Sequence, residues 1–299
     1  MINVALERAY APFFGEIKDQ LRIAHIMSTS HDSVHNMDFG LSQDQRLTPG
    51  AQVVGRVASI LRVLSVNMPR GIGTSAVARM TGLSRPTAHR LLGALGEQGF
   101  VDRDQFTGTW LLGPELYLMG SVAAERYDIT ELAREHVAAL ADETGESAFL
   151  SARRGGETIC LLRQDGSFPI RSFVLYEGKR FPLGVASAGL AILSFLTEAA
   201  AERYITQAEL EARYGPAHSS NALRERVTET REQGYAVNPG LIVKGSWGMG
   251  AAVFNRAGQP AWALSLTGIE PRFTVSRQRE LGRLLLHHAH RLTKRLSSG

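Results

Sequence analysis

The segment TSAVARMTGLSRPTAHRLLGALGEQ, residues 74–98, decides the amino-terminal fold of this 299-residue chain. Thr74 is a good N-cap for a short helix that turns Val77, Ala78 and Met80 inward. Thr81-Gly82-Leu83 makes a tight turn. Ser84 then caps a second helix with Pro86 in its first turn, where a missing N–H leaves no bond unmade. At helical spacing Ala88, Leu91, Leu92 and Leu95 share one face of that helix, and Pro86, His89, Arg90 and Gly93 lie roughly opposite. One face is built to pack and the other is left free.

Upstream, Val53, Val57, Ile60, Leu61 and Leu64 recur at the 3.6-residue period of a helix that stops at Asn67-Met68-Pro69. Downstream, Gly99 ends the second helix, and Phe100 to Arg103 and Thr109 to Leu112 read as two short strands joined by a turn containing Thr107-Gly108. Helix, helix, turn, helix and hairpin is the layout of a winged helix-turn-helix. A recognition helix enters the major groove of duplex DNA by its amino-terminal part, where side chains reach base edges and free N–H groups meet phosphate. Thr74, Ser84, Arg85, Thr87, His89 and Arg90 are therefore the candidate DNA contacts, with Arg103 added by the wing. Residues 51–115 carry seven arginines, no lysine and four acidic residues, a net charge of +3. The competing readings are a small helical bundle with a solvated basic face and a winged helix used for protein contact.

The composition, 44% hydrophobic and 21% charged, supplies enough apolar material for two ordinary domains. A formal charge of +4 agrees with a polyanionic partner but does not demand one. The single cysteine, Cys160, excludes an intramolecular disulfide and a thiolate zinc cluster, and fits a reducing cytoplasm. The first residues lack the continuous apolar run of a secretory signal, and no stretch approaches the roughly 20 apolar residues of a membrane span. A soluble, cytoplasmic protein is expected. Residues 1–50 read as a flexible arm ending in Thr48-Pro49-Gly50, with a short helix between Val4 and Ile26 as the alternative. Residues 51–113 form the winged helix-turn-helix, and helical periodicity over 114 to about 144 supplies a connector, of which 114–129 is the linker. Residues 130–297 mix strand-like runs (147–152, 158–163, 250–255 and 261–267) with helical ones (187–196, 221–233 and 276–296), the pattern of a sheet covered by helices.

Gly82-Leu83-Ser84-Arg85-Pro86-Thr87-Ala88-His89-Arg90-Leu91-Leu92, Gly99-Phe100-Val101 and Trp110-Leu111-Leu112-Gly113-Pro114 resemble the DNA-binding domain of the IclR family of transcriptional regulators. The likeness continues through Gly178-Lys179-Arg180-Phe181-Pro182-Leu183, Ala186-Ser187-Ala188-Gly189, Gly234-Tyr235-Ala236-Val237 and Leu264-Ser265-Leu266-Thr267-Gly268. The resemblance implies an α+β chain, with a carboxy-terminal effector-binding domain akin to GAF and PAS-like antiparallel sheets with helices. It also implies a double-stranded DNA operator, a small-molecule effector of the organic or aromatic acid type, and a homodimer or dimer of dimers. By position, the effector pocket would involve Ser187, Ala188, Gly189, Asn238, Gly248, Ser265 and Thr267. Small residues at a helix start leave N–H groups free for a carboxylate, and alternate strand positions face one side. A tightly packed helix start is the competing account of the same residues. The chain departs from the family's habit of His at position 184, Lys at 190, an acid near 238 and Cys near 248, which implies a pocket of altered polarity.

Catalytic alternatives find little support. The stretch Gly245-Ser246-Trp247-Gly248-Met249-Gly250 lacks the lysine and spacing of a phosphate loop, and neither a Gly-x-Ser-x-Gly elbow nor a His-Glu-x-x-His helix occurs. His287, His288 and His290 read as surface or interface histidines and Cys160 as a buried, inert thiol. A regulator without cofactor, metal or catalysis is expected, against an α/β enzyme with an accessory helical domain or a winged-helix adaptor.

Overall fold

The computed structural model describes residues 52–126 and 129–298. The expected arm over residues 1–50 lies outside the described residues.

Helix α1 (Gln52–Val66) buries Ile60, Val63 and Leu64. Val53, expected on that face, is exposed, because the first turn of α1 extends past the elements it packs against. Helix α2 (Thr74–Thr81) starts one residue earlier than Thr74 capping requires. Gly73 is the N-cap, and Thr74 is already helical. The reason is tertiary: the Thr74 hydroxyl accepts a hydrogen bond of 3.0 Å from the Trp110 indole N–H, so it serves the wing and not the helix end. Gly82, at φ +67°, closes α2 in the left-handed region that a side chain would disfavour. Helix α3 (Arg85–Glu97) has Ser84 as its N-cap, accepting from the Thr87 N–H, and buries Ala88, Leu92 and Leu95. Strands β1 (Val101–Arg103) and β2 (Trp110–Leu112) pair antiparallel as the wing, and Ile72 bridges to Trp110. Ile60, Leu64, Ile72, Val77, Leu92, Val101 and Trp110 form the core of this part.

Residues 114–144 carry two helices that differ in burial. Helix α4 (Pro114–Arg126) leaves Tyr117, Leu118, Met119 and Val122 exposed. Helix α5 (Ile129–Thr144) buries Ala133, Val137 and Leu140 against the large sheet. That sheet follows with β3 (Ser147–Arg154), β4 (Glu157–Gln164) and β5 (Arg180–Pro182). Helices α6 (Ser187–Ser194), α7 (Glu198–Gln207), α8 (Glu211–Tyr214) and α9 (Ser220–Gln233) come next. Strands β6 (Ala236–Pro239), β7 (Ser246–Phe254) and β8 (Pro260–Ile269) complete the sheet, and α10 (Val275–Ser298) ends the chain. The strand order is β5-β4-β3-β8-β7-β6, with every pairing antiparallel. Both edge strands escape a periodicity reading because they span only 180–182 and 236–239 and each ends in proline. Strand β7 begins at Ser246 rather than Gly250, its glycines having hidden the alternation.

Alternation along the strands serves two cores. Ala148, Leu150, Met249, Ala251, Leu264 and Leu266 face α5 and α10. Phe149, Ala252 and Ala263 face the layer of α6, α7 and α9. His288, expected at a surface or interface, is buried because α10 packs on α5. Its Nδ1 lies 3.1 Å from Nδ1 of His136. Burial is the main reason that both imidazoles are held below their ordinary pKa.

Candidate nucleic-acid interface and sensor cavity

The start of α3 presents Arg85, His89 and Arg90 to solvent. None of the three has a side-chain ion pair or hydrogen bond among the described residues, so their donors are free for an external acceptor. Ser84 is different. Its oxygen accepts from the Thr87 N–H at 3.4 Å, and its hydroxyl donates to Thr87 Oγ1 at 2.8 Å. The Ser84 hydroxyl is thereby spent on the cap, whereas Thr87 keeps its proton to donate outward. Thr74 is likewise committed, to Trp110. Arg103 stacks over the Trp110 ring at 5.7 Å from the centroid. The structure thus brings Arg85, Thr87, His89 and Arg90 to one open face and turns Ser84 and Thr74 into supports for it.

The sensor cavity lies between the start of α6 and the sheet. Two glycines of β7 make the approach close: a Cβ on Gly248 would come 3.2 Å from Ser187 Oγ, and one on Gly250 would come 3.0 Å from the Ser187 carbonyl. The N-cap of α6, Ala186, offers no side-chain acceptor, so the leading N–H groups of the helix depend on other partners. Ser187, Ala188, Asn238, Gly248 and Thr267 all line a cavity of about 30 Å³. Gly189 and Ser265 do not reach its wall. A Cβ on Gly189 would come 3.2–3.3 Å from the Pro182 to Gly184 backbone, and Ser265 is fully buried across from Gly250. Asn238 is a brace: its amide donates to the Val185 carbonyl at 2.7 Å and its oxygen accepts from the Leu241 N–H at 3.0 Å. Thr267 Oγ1 is buried without a hydrogen-bond partner.

Residues not anticipated complete the wall, among them Ser151, Thr158, Leu175, Phe181, Ile242 and Trp247. Ser151 and Thr158 are hydroxyls within strand runs that alternate no more clearly around them than elsewhere. Leu175 and Ile242 lie on loops, Phe181 on β5 and Trp247 on β7, and they become neighbours only in the folded chain. No wall residue carries an ionisable acid or base, so the polarity is that of hydroxyls and amides. The departures at 184 and 190 have steric reasons. Gly184 sits at φ +84°, and a Cβ there would meet Leu223 at 2.6 Å, while Leu190 is buried in the core.

The model of the bacterial transcriptional regulator IclR carboxy-terminal domain matches residues 121–294, and that of the IclR helix-turn-helix domain matches residues 53–105. The chain belongs to the IclR family. It is a DNA-binding transcriptional regulator, an α+β protein with a helix-turn-helix followed by an α/β part, like the rest of that family. The HTH-type transcriptional regulator KipR of Bacillus subtilis is 31% identical over 204 residues, 68% of this chain and 81% of KipR. The transcriptional repressor IclR of Escherichia coli is 25% identical over 251 residues, 81% of this chain and 91% of the repressor. Among solved structures, the IclR protein of Thermotoga maritima superposes with a TM-score of 0.65 at 24% identity, covering 82% of this chain and 99% of that one. An IclR homologue from Microbacterium hydrocarbonoxydans, solved with 4-hydroxybenzoate, gives a TM-score of 0.67 at 21% identity, covering 83% and 100%. Among the described residues, this IclR-family chain has no helix long and apolar enough to cross a membrane.

Proposed function

We propose that this IclR-family regulator binds a double-stranded operator as a homodimer, with α3 in the major groove, and that a small organic acid taken into the cavity beside α6 changes its affinity for DNA. The observation that carries the DNA half is the partner-free set Arg85, His89 and Arg90 beside the outward-donating Thr87. These groups read bases and phosphates, while Thr74, Ser84 and Arg103 hold the reading surface in shape. Replacing Arg90 by alanine removes a contact without touching the Ala88, Leu92, Leu95 packing face. Duplex affinity is expected to fall by about 1–3 kcal/mol, and the salt slope by about one if the lost contact is to phosphate. Titration of wild type and variant at several salt concentrations tests this, and unchanged affinity and slope would take Arg90 out of the interface.

Pairing is supported by α4, whose exposed Tyr117, Leu118, Met119 and Val122 lie beyond any core of the single chain. The last helix is a poorer candidate, since Leu285 and Leu292 are spent in the interior of the sensor. Pairing of dimers into a tetramer is the further assembly step, and sedimentation at micromolar concentration distinguishes monomer, dimer and tetramer. The site belongs to a binding protein rather than an enzyme: no nucleophile and base meet in the cavity, and burial pushes the Cys160 thiol up to about 12. We place the protein in the cytoplasm with its DNA, and without a cofactor.

The relative bound to 4-hydroxybenzoate supports the effector half. Here a carboxylate would rest on the leading N–H groups of α6 and on the hydroxyls of Ser187 and Thr267, without a paired arginine. A cavity of about 30 Å³ holds a water or two and no aromatic ring, so entry requires its outer wall to part. Ser172 and Ser246, hydrogen-bonded at 2.6 Å, join the loop before β5 to the start of β7, which would have to separate. Only a ligand that favours one of the two arrangements shifts the regulator. Ser187→Leu fills the cavity. It is expected to abolish the thermal shift given by 4-hydroxybenzoate or by aliphatic carboxylates while leaving unliganded DNA affinity within a few-fold of wild type. Full ligand binding by the variant would place the pocket elsewhere.

A further inference from the structure

The wing tip carries an aromatic ring that the fold does not use. Phe106 is 100% exposed, alone among the phenylalanines of the described residues. Its backbone is nonetheless held firmly. Asp104 Oδ1 accepts from the Phe106 N–H at 2.9 Å, the Thr107 N–H at 2.7 Å and the Thr107 hydroxyl at 3.0 Å. Gly108, at φ +70°, returns its N–H to the Asp104 carbonyl at 2.9 Å. The turn is therefore shaped by Asp104, Thr107 and Gly108, and nothing in its geometry requires an aromatic residue at position 106. The hairpin is itself pinned to the helix-turn-helix through the Trp110 indole on Thr74 and the backbone bridge from Ile72 to Trp110. The ring is thus carried rigidly with α3.

Charge decides what the wing offers. Asp102 and Asp104 outnumber Arg103, and Arg103 lies over the Trp110 ring. Such a hairpin makes a poor clamp for phosphate. What remains is the Phe106 side chain, projecting from the DNA-reading part of the molecule. Apolar side chains on minor-groove elements unstack a base step and kink the duplex, with the least penalty at pyrimidine–purine steps. We infer that Phe106 is a wedge that enters a base step beside the major-groove site of α3, and that it selects an easily unstacked step there. The inference rests on the DNA-binding reading of α3 and adds a second source of sequence preference.

The test uses the full chain and a duplex of about three helical turns that the wild-type protein has itself selected from a random library. Phe106→Ala is expected to weaken binding to that duplex roughly tenfold, the scale of a lost base–aromatic contact. The salt slope should stay unchanged, because no phosphate contact is removed. The preference for a TA or CA step at the wing position should vanish, and so should the fluorescence rise of 2-aminopurine placed in that step. The melting temperature of the free protein should not move, since the ring is fully exposed. Equal affinity and an unaltered step preference in the variant would overturn the wedge. A change in the sedimentation of the DNA-free protein on Phe106→Ala would overturn it as well, by assigning the ring to a protein contact. If wild type selects no duplex at all, the DNA-binding reading falls and the wedge falls with it, whereas Arg90→Ala losing affinity while Phe106→Ala keeps it sinks the wedge alone.

Discussion

The reading face on α3 and the cavity beside α6 are both helix starts, yet they are assembled in opposite ways. On α3 the candidate contacts lie within residues 85–90, and Arg85, His89 and Arg90 among them are exposed and without a side-chain partner among the described residues. At α6 the walls come from all six strands of the large sheet and from two loops, and the helix start is sealed against glycines. A surface of the first kind tolerates change at each side chain separately. A cavity of the second kind depends on close approach, so a single added carbon reaches all of it.

The largest expected effect follows from that contrast. Gly250→Ala would set a Cβ 3.0 Å from the Ser187 carbonyl and 3.1 Å from the Ala188 nitrogen, pushing α6 off the sheet. Overpacking of this kind costs about 1–3 kcal/mol. Denaturant unfolding should register the loss and carboxylate binding should weaken, while DNA affinity of the unliganded protein stays within a few-fold. If DNA affinity fell as far as stability, the two regions would not be separable in the way their construction implies.

A smaller effect of opposite sign is expected at Arg226. Burial lowers its pKa to about 10, and its Nε and Nη2 find no partner. Unpaired buried donors are a liability, so Arg226→Met should stabilise the protein by about 1 kcal/mol. A lower melting temperature for the variant would show that the guanidinium has a partner in solution. The replacement lies away from both the α3 face and the α6 cavity wall, so neither DNA nor carboxylate affinity should respond.

The smallest effect concerns pH. His136 and His288 face each other across α5 and α10, with Glu135, Glu143, His287, Arg291 and Arg295 around them. Both pKa values are lowered in the fold from 6.5, chiefly by burial, and His218 is lowered for the same reason. The unfolded chain therefore binds more protons, and the stability these groups contribute is complete above pH 6.5 and declines as pH falls below it. Replacing His288 with glutamine should flatten the decline between pH 7 and 5.5 in thermal melts. An unchanged slope would assign the decline to His136 and His218.

Much of the α3 region was legible because its signals are local. Ser84, Pro86 and the Ala88 to Leu95 spacing lie within one helix, and the structure keeps all of them in their expected roles. Thr74 was misjudged as a cap because its partner, Trp110, is 36 residues away. At the cavity, resemblance points to Ser187, Ala188, Asn238, Gly248 and Thr267, whereas Leu175 and Ile242 carry no pattern that joins them to the site.

Taken alone, the sequence determined the elements whose bonds close within a turn or two: the helix-turn-helix, its Ser84 cap, its charge and the strands of the sheet with clear alternation. Tertiary structure decided which hydroxyls remain free and which are spent, because a hydrogen-bond donor is assigned only when its neighbour in space is known. Ser84 and Thr87 look alike in the chain, and only the fold shows that one donates to the other, leaving Thr87 with a proton to donate outward.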